Sequence, residues 1–248
     1  MLLYINEKGF ILIIWRRKLR ATKPKKIIEI GVSRGGSSTI ILNAIKNIEG
    51  EKLYSIDKSR NCCRNRDKDT GYFVKENYPE LMNKWDLNLG GITSEFIKKI
   101  GGDIDLVFID TMHITPGEML DWLQVLAFLK KEAFVVLHDT FFMYLGEFLK
   151  KKKNCSNNQL LTYIRGELIW PSYGNSTFLH NIGALKLTKE QKKYYKQYFL
   201  ALGTQWEYMP EEKDLKIMRE FFIKYYGKKC VEIYDDAVNK NKIHLNKY

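Results

Sequence analysis

No apolar run in this 248-residue chain approaches the ~20 residues that span a bilayer. The longest near the start, Gly9 to Trp15, is preceded by Asn6, Glu7 and Lys8 and followed by Arg16, Arg17, Lys18 and Arg20. Its basic residues come after it rather than before, and no small-residue cleavage site follows, so it does not read as a secretory leader. Cysteine is scarce: Cys62, Cys63, Cys155 and Cys230 fit neither a zinc spacing nor a disulfide framework, and two are adjacent. We expect a cytoplasmic protein with reduced thiols. Two nucleotide-binding signatures are also missing. A P-loop would need Lys where Ser37 stands, and the dinucleotide fingerprint would need Gly where Ser33 stands.

What remains is an ordinary globular composition, 45% hydrophobic and 28% charged, with a net charge of +12. The charge is concentrated at the start: Met1 to Lys26 carries eight Lys or Arg against Glu7 alone. A basic arm over 1–24 can be a solvated extension or can hold an anionic surface. Lys150 to Lys153 read as the solvated end of a helix.

From Lys25 to Thr140 short β-branched runs alternate with amphipathic ones, which is the pattern of βαβ units and an α/β fold. Strands are expected at Lys26–Ile30, Lys52–Ile56, Trp85–Leu89, Ile104–Ile109 and Ala133–Leu137. Helices are expected at Ser37–Ile48, Phe73–Leu81, Thr93–Ile100 and Pro116–Leu129, with a polar loop over Lys58–Tyr72. Beyond Phe141 the pattern gives a helix at Tyr144–Lys152, a late strand at Thr177–Leu187, and helices at Lys189–Leu202, Glu211–Tyr226 and Lys228–Val238. The organisation is a basic arm (1–24), a nucleotide-fold domain (25–187) and a helical extension packed on it (188–248).

Gly31-Val32-Ser33-Arg34-Gly35-Gly36-Ser37-Ser38 lies where the first strand turns into a helix, the place where a ligand meets bare backbone amides. Asp57 closes the second strand 21 residues after Gly36, close to the spacing at which a carboxylate takes ribose hydroxyls. Loop and acid together suggest an adenosine ligand, with a strand-capping role for Asp57 as the plain alternative. Asp110 ends the fourth strand and His138-Asp139 the fifth, and carboxyl ends in a doubly wound sheet face the ligand crevice. Such donors suit Mg²⁺ or Mn²⁺. His113, three residues after Asp110, can enter the same crevice. An imidazole there is suited to taking a proton from a hydroxyl, or alternatively to capping the next helix.

In this order Glu29-x-Gly31 with Gly35-Gly36-Ser37, Asp57, Asp105 to Asp110 and Val135 to Thr140 resemble the motifs of class I S-adenosylmethionine (SAM)-dependent methyltransferases. The likeness is closest to the branch of catechol-type and metal-dependent sugar O-methyltransferases. It implies a Rossmann-like sheet of seven strands, the last antiparallel. It also implies SAM contacts from Glu29, Gly31, Ser33, Gly35, Ser37 and Ser38, ribose held by Asp57, and Gly91, Ile92 and Thr93 at the adenine. Asp110, His138 and Asp139 become the metal candidates, and His113 with Asp110 the catalytic pair, acting on a small hydroxylated acceptor such as a sugar. The sequence departs from the branch at His138, where an acid is usual, and at Ser33, where glycine is commoner.

Two rivals stay open. A nucleic-acid methyltransferase would use the basic arm, but no Asn/Asp-Pro-Pro-aromatic motif follows Ile109. A catalytically degenerate nucleotide-fold module would serve as a partner-binding subunit without turnover. Homo-oligomerisation is open under every one of these readings. His180 and His244 read as structural, and Trp170, Tyr173, Trp206 and Tyr208 as packing residues.

Overall fold

A computed structural model describes residues 24–46, 52–140, 154–169, 181–188 and 190–245. The basic arm, the helix expected at Tyr144–Lys152, and Trp170, Tyr173 and His180 lie outside the described residues.

The strands are β1 (Lys26–Ile30), β2 (Lys52–Asp57), β3 (Asn61–Cys62), β4 (Asn65–Asp69), β5 (Trp85–Leu89), β6 (Ile104–Ile109), β7 (Leu129–His138), β8 (Gly166–Ile169) and β9 (Ile182–Leu187). The helices are α1 (Gly36–Ile45), α2 (Tyr72–Asn77), α3 (Thr93–Ile100), α4 (Gly117–Val125), α5 (Ser156–Tyr163), α6 (Tyr195–Leu200), α7 (Glu212–Tyr226) and α8 (Lys228–Leu245). Seven strands form one sheet in the order β5-β2-β1-β6-β7-β9-β8. Five run parallel, and β9, last in the chain, is antiparallel to both β7 and β8.

Buried on both faces, the central strands are almost wholly apolar, as a parallel sheet requires. Their alternate residues split between two cores. Ile28, Ile30, Val107, Ile109, Val135 and Leu137 face α3, α4 and the carboxyl-terminal helices. Ile27, Leu53, Leu106, Phe108 and Val136 face α1 and α2. The strand order reverses between β1 and β6, so the chain leaves in opposite directions from their tips and opens a crevice there.

Several expectations are corrected by local chemistry. Lys58–Tyr72 is not all loop: β3 and β4 pair as a hairpin in which β4 is exposed and β3 buries Cys62. The helix at 73–81 stops at Asn77, because Pro79 disfavours a helical Tyr78, which sits at φ −142°, and the chain resumes as a 3-10 turn over Pro79–Lys84. Strand β7 starts four residues early, at Leu129, and α4 ends at Val125. The segment 189–202 is broken into 3-10 and α pieces rather than one helix, while α8 runs on to Leu245. Helix α5 and strand β8 were not anticipated.

The carboxyl-terminal helices share the sheet's core. Phe199, Phe222 and Tyr234 meet edge to face with centroids 5.1 and 5.2 Å apart. The Tyr226 hydroxyl donates to the Leu123 carbonyl at 2.5 Å, tying α7 to α4. Trp206 is fully buried, as expected of a packing residue. Truncating the fully buried Phe222 to Ala should cost about 3–5 kcal/mol. Because this side chain belongs to the shared core, urea unfolding followed by far-UV and aromatic signals should remain one coincident transition. Separate transitions would show that the helices fold independently.

Candidate functional site

The site begins with a close approach. Gly31, at φ +90°, receives no side chain because a Cβ there would lie 1.9 Å from the Asp110 carbonyl oxygen. Its N–H donates to Ile56 O at 2.9 Å, and Asp110 N–H donates to Ile30 O at 2.9 Å. The glycine loop and the Asp110 turn are therefore held side by side at the switch point.

Beneath the loop lies a buried knot. Glu29 points to the α1 face, fully buried, and accepts hydrogen bonds at 2.6 Å from the hydroxyls of Ser37, Ser38 and its sheet neighbour Ser55. The Trp85 indole N–H donates to Ser55 Oγ at 2.7 Å. Burial drives the Glu29 carboxyl up to about 7, against the three hydroxyls that favour its charged form. Glu29 and Ser38 have no exposed surface, so among the expected cofactor residues these two are placed to brace the loop from below.

Above the knot, Asp57 Oδ2 accepts the N–H groups of Val32 at 2.9 Å and Ser33 at 3.1 Å, and Oδ1 accepts that of Ser59 at 2.8 Å. The expected ribose acid thus also fixes the loop, and it keeps partial exposure. Ser33 adopts φ +51°, the left-handed conformation that makes glycine common at such a position. At the tip of β5, the Glu95 carboxylate accepts the Ile92 N–H at 2.8 Å and lies 2.5 Å from where a Gly91 Cβ would be. Gly91 and Thr93 are buried, leaving Ile92 partly exposed in this stretch.

The second half of the site gathers around His113, which sits at φ +43° after β6. Its Nε2 lies 3.0 Å from Asp139 Oδ2 and 3.6 Å from Asp110 Oδ1, and its Nδ1 lies 2.9 Å from Glu118 Oε1. Burial alone would lower its pKa, but the hydrogen bond and charge of Glu118, with Asp110 and Asp139, raise it above 6.5. Burial raises Asp139, but the hydrogen bond and charge of His138, the charge of His113 and the 2.6 Å bond from Asn181 Nδ2 bring it below its ordinary value. His138 Nδ1 stands 3.3 Å from both Asp110 Oδ1 and Asp139 Oδ1. The donor atoms that converge within 4.8 Å as a candidate cation site belong to Asp110, His113 and Asp139. His113 joins this group from a left-handed turn, and His138, expected beside the two acids, stands next to them at the end of β7 with its ring near Phe108.

Glu118 and Asp121 escaped the sequence reading, and Tyr208 entered it as a packing residue. Glu118 is fully buried, Asp121 is bonded by Thr111 Oγ1 at 2.8 Å with burial pushing its carboxyl to about 7, and the Tyr208 phenol, raised well above its ordinary value first by burial and then by the Asp121 and Glu118 charges, adjoins Gly117. The available signal was a pair of acids at i and i+3 on a helix whose remaining buried residues are mostly apolar. The carboxyl-terminal segment secures this turn: Thr115 Oγ1 donates to Gln205 O, Glu207 N–H to Thr115 O, and Asn154 N–H to Glu207 Oε1, at 2.7–2.9 Å. His244 lies in the last turn of α8.

Residues 28–140 match the family model of a methyltransferase domain. No curated protein matches the sequence. Among solved structures, a proposed O-methyltransferase from Klebsiella pneumoniae superposes with a TM-score of 0.51 at 14% identity, covering 74% of this chain and 80% of that one. An O-methyltransferase from Bacillus cereus in complex with SAH gives 0.50 at 13% identity, covering 73% and 80%. At these identities the superpositions establish the fold.

Two variants probe the two halves of the loop support. Gly31→Ala should lose at least about 2 kcal/mol in denaturant titration, since both the left-handed backbone and a backbone carbonyl oppose a Cβ. Glu29 has a folded-state pKa above its unfolded value, so its proton is held by the native state and stability falls as pH rises from about 4.5 through about 7, by about 3 kcal/mol. Glu29→Gln carries no charge to lose, so its stability relative to the native chain should improve by that order between pH 5 and pH 8. An equal difference at both pH values would contradict the burial argument.

Proposed function

We propose that this chain, a member of the SAM-dependent methyltransferases by its domain match and sheet order, transfers the methyl group of SAM to a hydroxyl of a small acceptor such as a sugar. The observation that carries this is the convergence of Asp110, His113 and Asp139 on one side of the Gly31–Asp110 contact, with the glycine loop on the other.

SAM fits the loop. A ribose hydroxyl can donate to Asp57 Oδ1, which accepts the Ser59 N–H and keeps a second lone pair, while Oδ2 is filled by the Val32 and Ser33 N–H groups, and Gly31, Ser33, Gly35 and Ser37 offer the path for the methionine end. Gly91, Ile92 and Thr93 border the adenine. SAM supplies an electrophilic methyl on a sulfonium. The chain's own task is to align an acceptor oxygen with that carbon and remove its proton. His113 Nε2 is placed to take the proton, with Asp139 and Glu118 stabilising the imidazolium that results.

The same three donors favour a second version of this reaction. Two carboxylates and an imidazole within 4.8 Å fit Mn²⁺ or Mg²⁺, which when bound would lower the acceptor hydroxyl's pKa. His113 Nε2 would then be a ligand and could not also be the base. No helix among the described residues is long and apolar enough to cross a membrane, and no disulfide joins the four cysteines. Those thiols fit the cytoplasm.

Calorimetry should show binding of SAH to the native chain and its loss, by tenfold or more, in Asp57→Ala. Turnover of SAM with a panel of sugars and catechols should fall about 10²–10⁴-fold in His113→Ala. The rate should climb with pH through a value above 6.5, because the base works deprotonated and its pKa is raised. Stimulation by Mn²⁺ and silence in EDTA would select the cation-assisted version. No SAH binding at all would end the methyl-transfer reading.

A further inference from the structure

Lys58, the residue after Asp57, reaches across the molecule to the start of α7. Its Nζ lies 2.5 Å from Asp214 Oδ2 and 2.6 Å from Glu211 Oε1. Asp214 is buried in the first turn of α7, and among the described residues Lys58 is the one cation within ion-pair distance of it. The helix dipole favours an acid in a first turn, but the exposed Glu212 serves that end without losing its hydration. What the buried acid adds is an anchor for an amine arriving from the tip of β2. The same segment is fastened at its other end beyond the tip of β6, where Thr115 holds Gln205 and Glu207. That turn is firm in its own right, since Thr115 N–H donates to Asn154 O at 2.9 Å and Ser156 N–H to His113 O at 3.1 Å. Because β1 lies between β2 and β6 in the sheet, a segment anchored at both of their tips runs past the end of β1, where the glycine loop begins. Tyr208 marks its course: the phenol oxygen lies 3.3 Å from where a Gly117 Cβ would be.

We propose that Lys58 is a positioning residue for the cofactor: through Asp214 and Glu211 it holds the segment 205–214 across the tip of β1, as a wall of the site in which the adenosyl group of SAM lies. This rests on the methyl-transfer reading above, and it adds to that site a wall from outside residues 28–140, which match the methyltransferase domain. An ion pair whose lysine is half-exposed contributes little to global stability. Helix α7 is in any case held to the sheet by the buried Phe222 and by the bond from Tyr226 to Leu123. The effect of Lys58 is therefore local. Without it the segment covers the site for only part of the time, and apparent affinity falls with the covered fraction. Removing the lysine alone would strand the Asp214 charge, so Lys58→Met combined with Asp214→Asn removes bond and charge together.

The test pairs SAH calorimetry with amide hydrogen exchange read by mass spectrometry, both on the full-length chain. In the native chain SAH should slow exchange in peptides covering 205–214 as well as in those covering 31–38. The Lys58→Met/Asp214→Asn variant should keep the native urea midpoint and exchange faster over 205–214 before SAH is added. It should bind SAH about tenfold more weakly, as for a segment in place about a tenth of the time. Lys58→Arg, whose guanidinium still pairs with carboxylates, should retain most of the native affinity. Protection of 31–38 without protection of 205–214 overturns the inference alone, as does native affinity in the folded double variant. A loss of affinity matched by a fall in the urea midpoint would make Lys58 a structural residue and overturn it as well. If the native chain binds no SAH, and 31–38 gains no protection, the methyl-transfer reading fails and the inference falls with it.

Discussion

The site depends on two strand tips being closer than side chains allow. With the Asp110 carbonyl occupying the space of a Cβ at position 31, β1 and β6 deliver the glycine loop and the Asp110–His113 turn as adjoining walls of one crevice. Everything chemical follows from that adjacency. Holding two reactants against adjoining surfaces in a fixed alignment supplies much of the barrier reduction in a bimolecular displacement. The sheet order makes the contact available, since β1 and β6 are the pair at which the chain's direction of winding reverses.

Charge is distributed against the average of the molecule. The chain carries +12 overall, yet Glu29, Asp57, Asp110, Glu118, Asp121 and Asp139 gather at these tips. Burial makes that gathering costly, and the structure answers it in different ways. Glu29 and Asp121 are driven toward neutrality, while Asp139 is held ionised by His138 and His113. The charge that remains faces the places where a sulfonium, an imidazolium or a divalent cation would stand, so the crevice is matched to positive species.

Legibility in the sequence followed signal length. Strands β1, β6 and β7 were readable as largely buried apolar runs, and β2 and β5 as shorter segments in which apolar and polar residues mix, and Gly31, Asp57 and Asp110 fall at strand ends. Strand β8 was not readable: Gly-Glu-Leu-Ile has no alternation to distinguish it, and its pairing with β9 is decided across the sheet. The hairpin of β3 and β4 was hidden for the opposite reason, since its β4 is exposed and polar throughout and neither face has a hydrophobic period. That His113 approaches Asp110 and Asp139 depends on a left-handed backbone angle, which no residue type declares. Glu118 was visible as an acid on an apolar helix, but its partner five residues back could be named only once the turn was folded.

Backbone strain is the last link. Ser33, His113 and Asp139 are three of the four non-glycine residues at positive φ among those described, and all three border the crevice. Each pays of order 1–2 kcal/mol for the left-handed region. Each is held there by bonds already counted: Asp57 grips the Ser33 N–H, Ser156 and Glu118 grip His113, and Asn181 grips Asp139. A left-handed residue reverses the chain within one position, so a side chain can be aimed across a strand tip instead of along it. That reversal lets groups from β1, β6 and β7 point at a common volume, and glycine at 113 or 139 would relieve the strain while deleting the groups for which it is held.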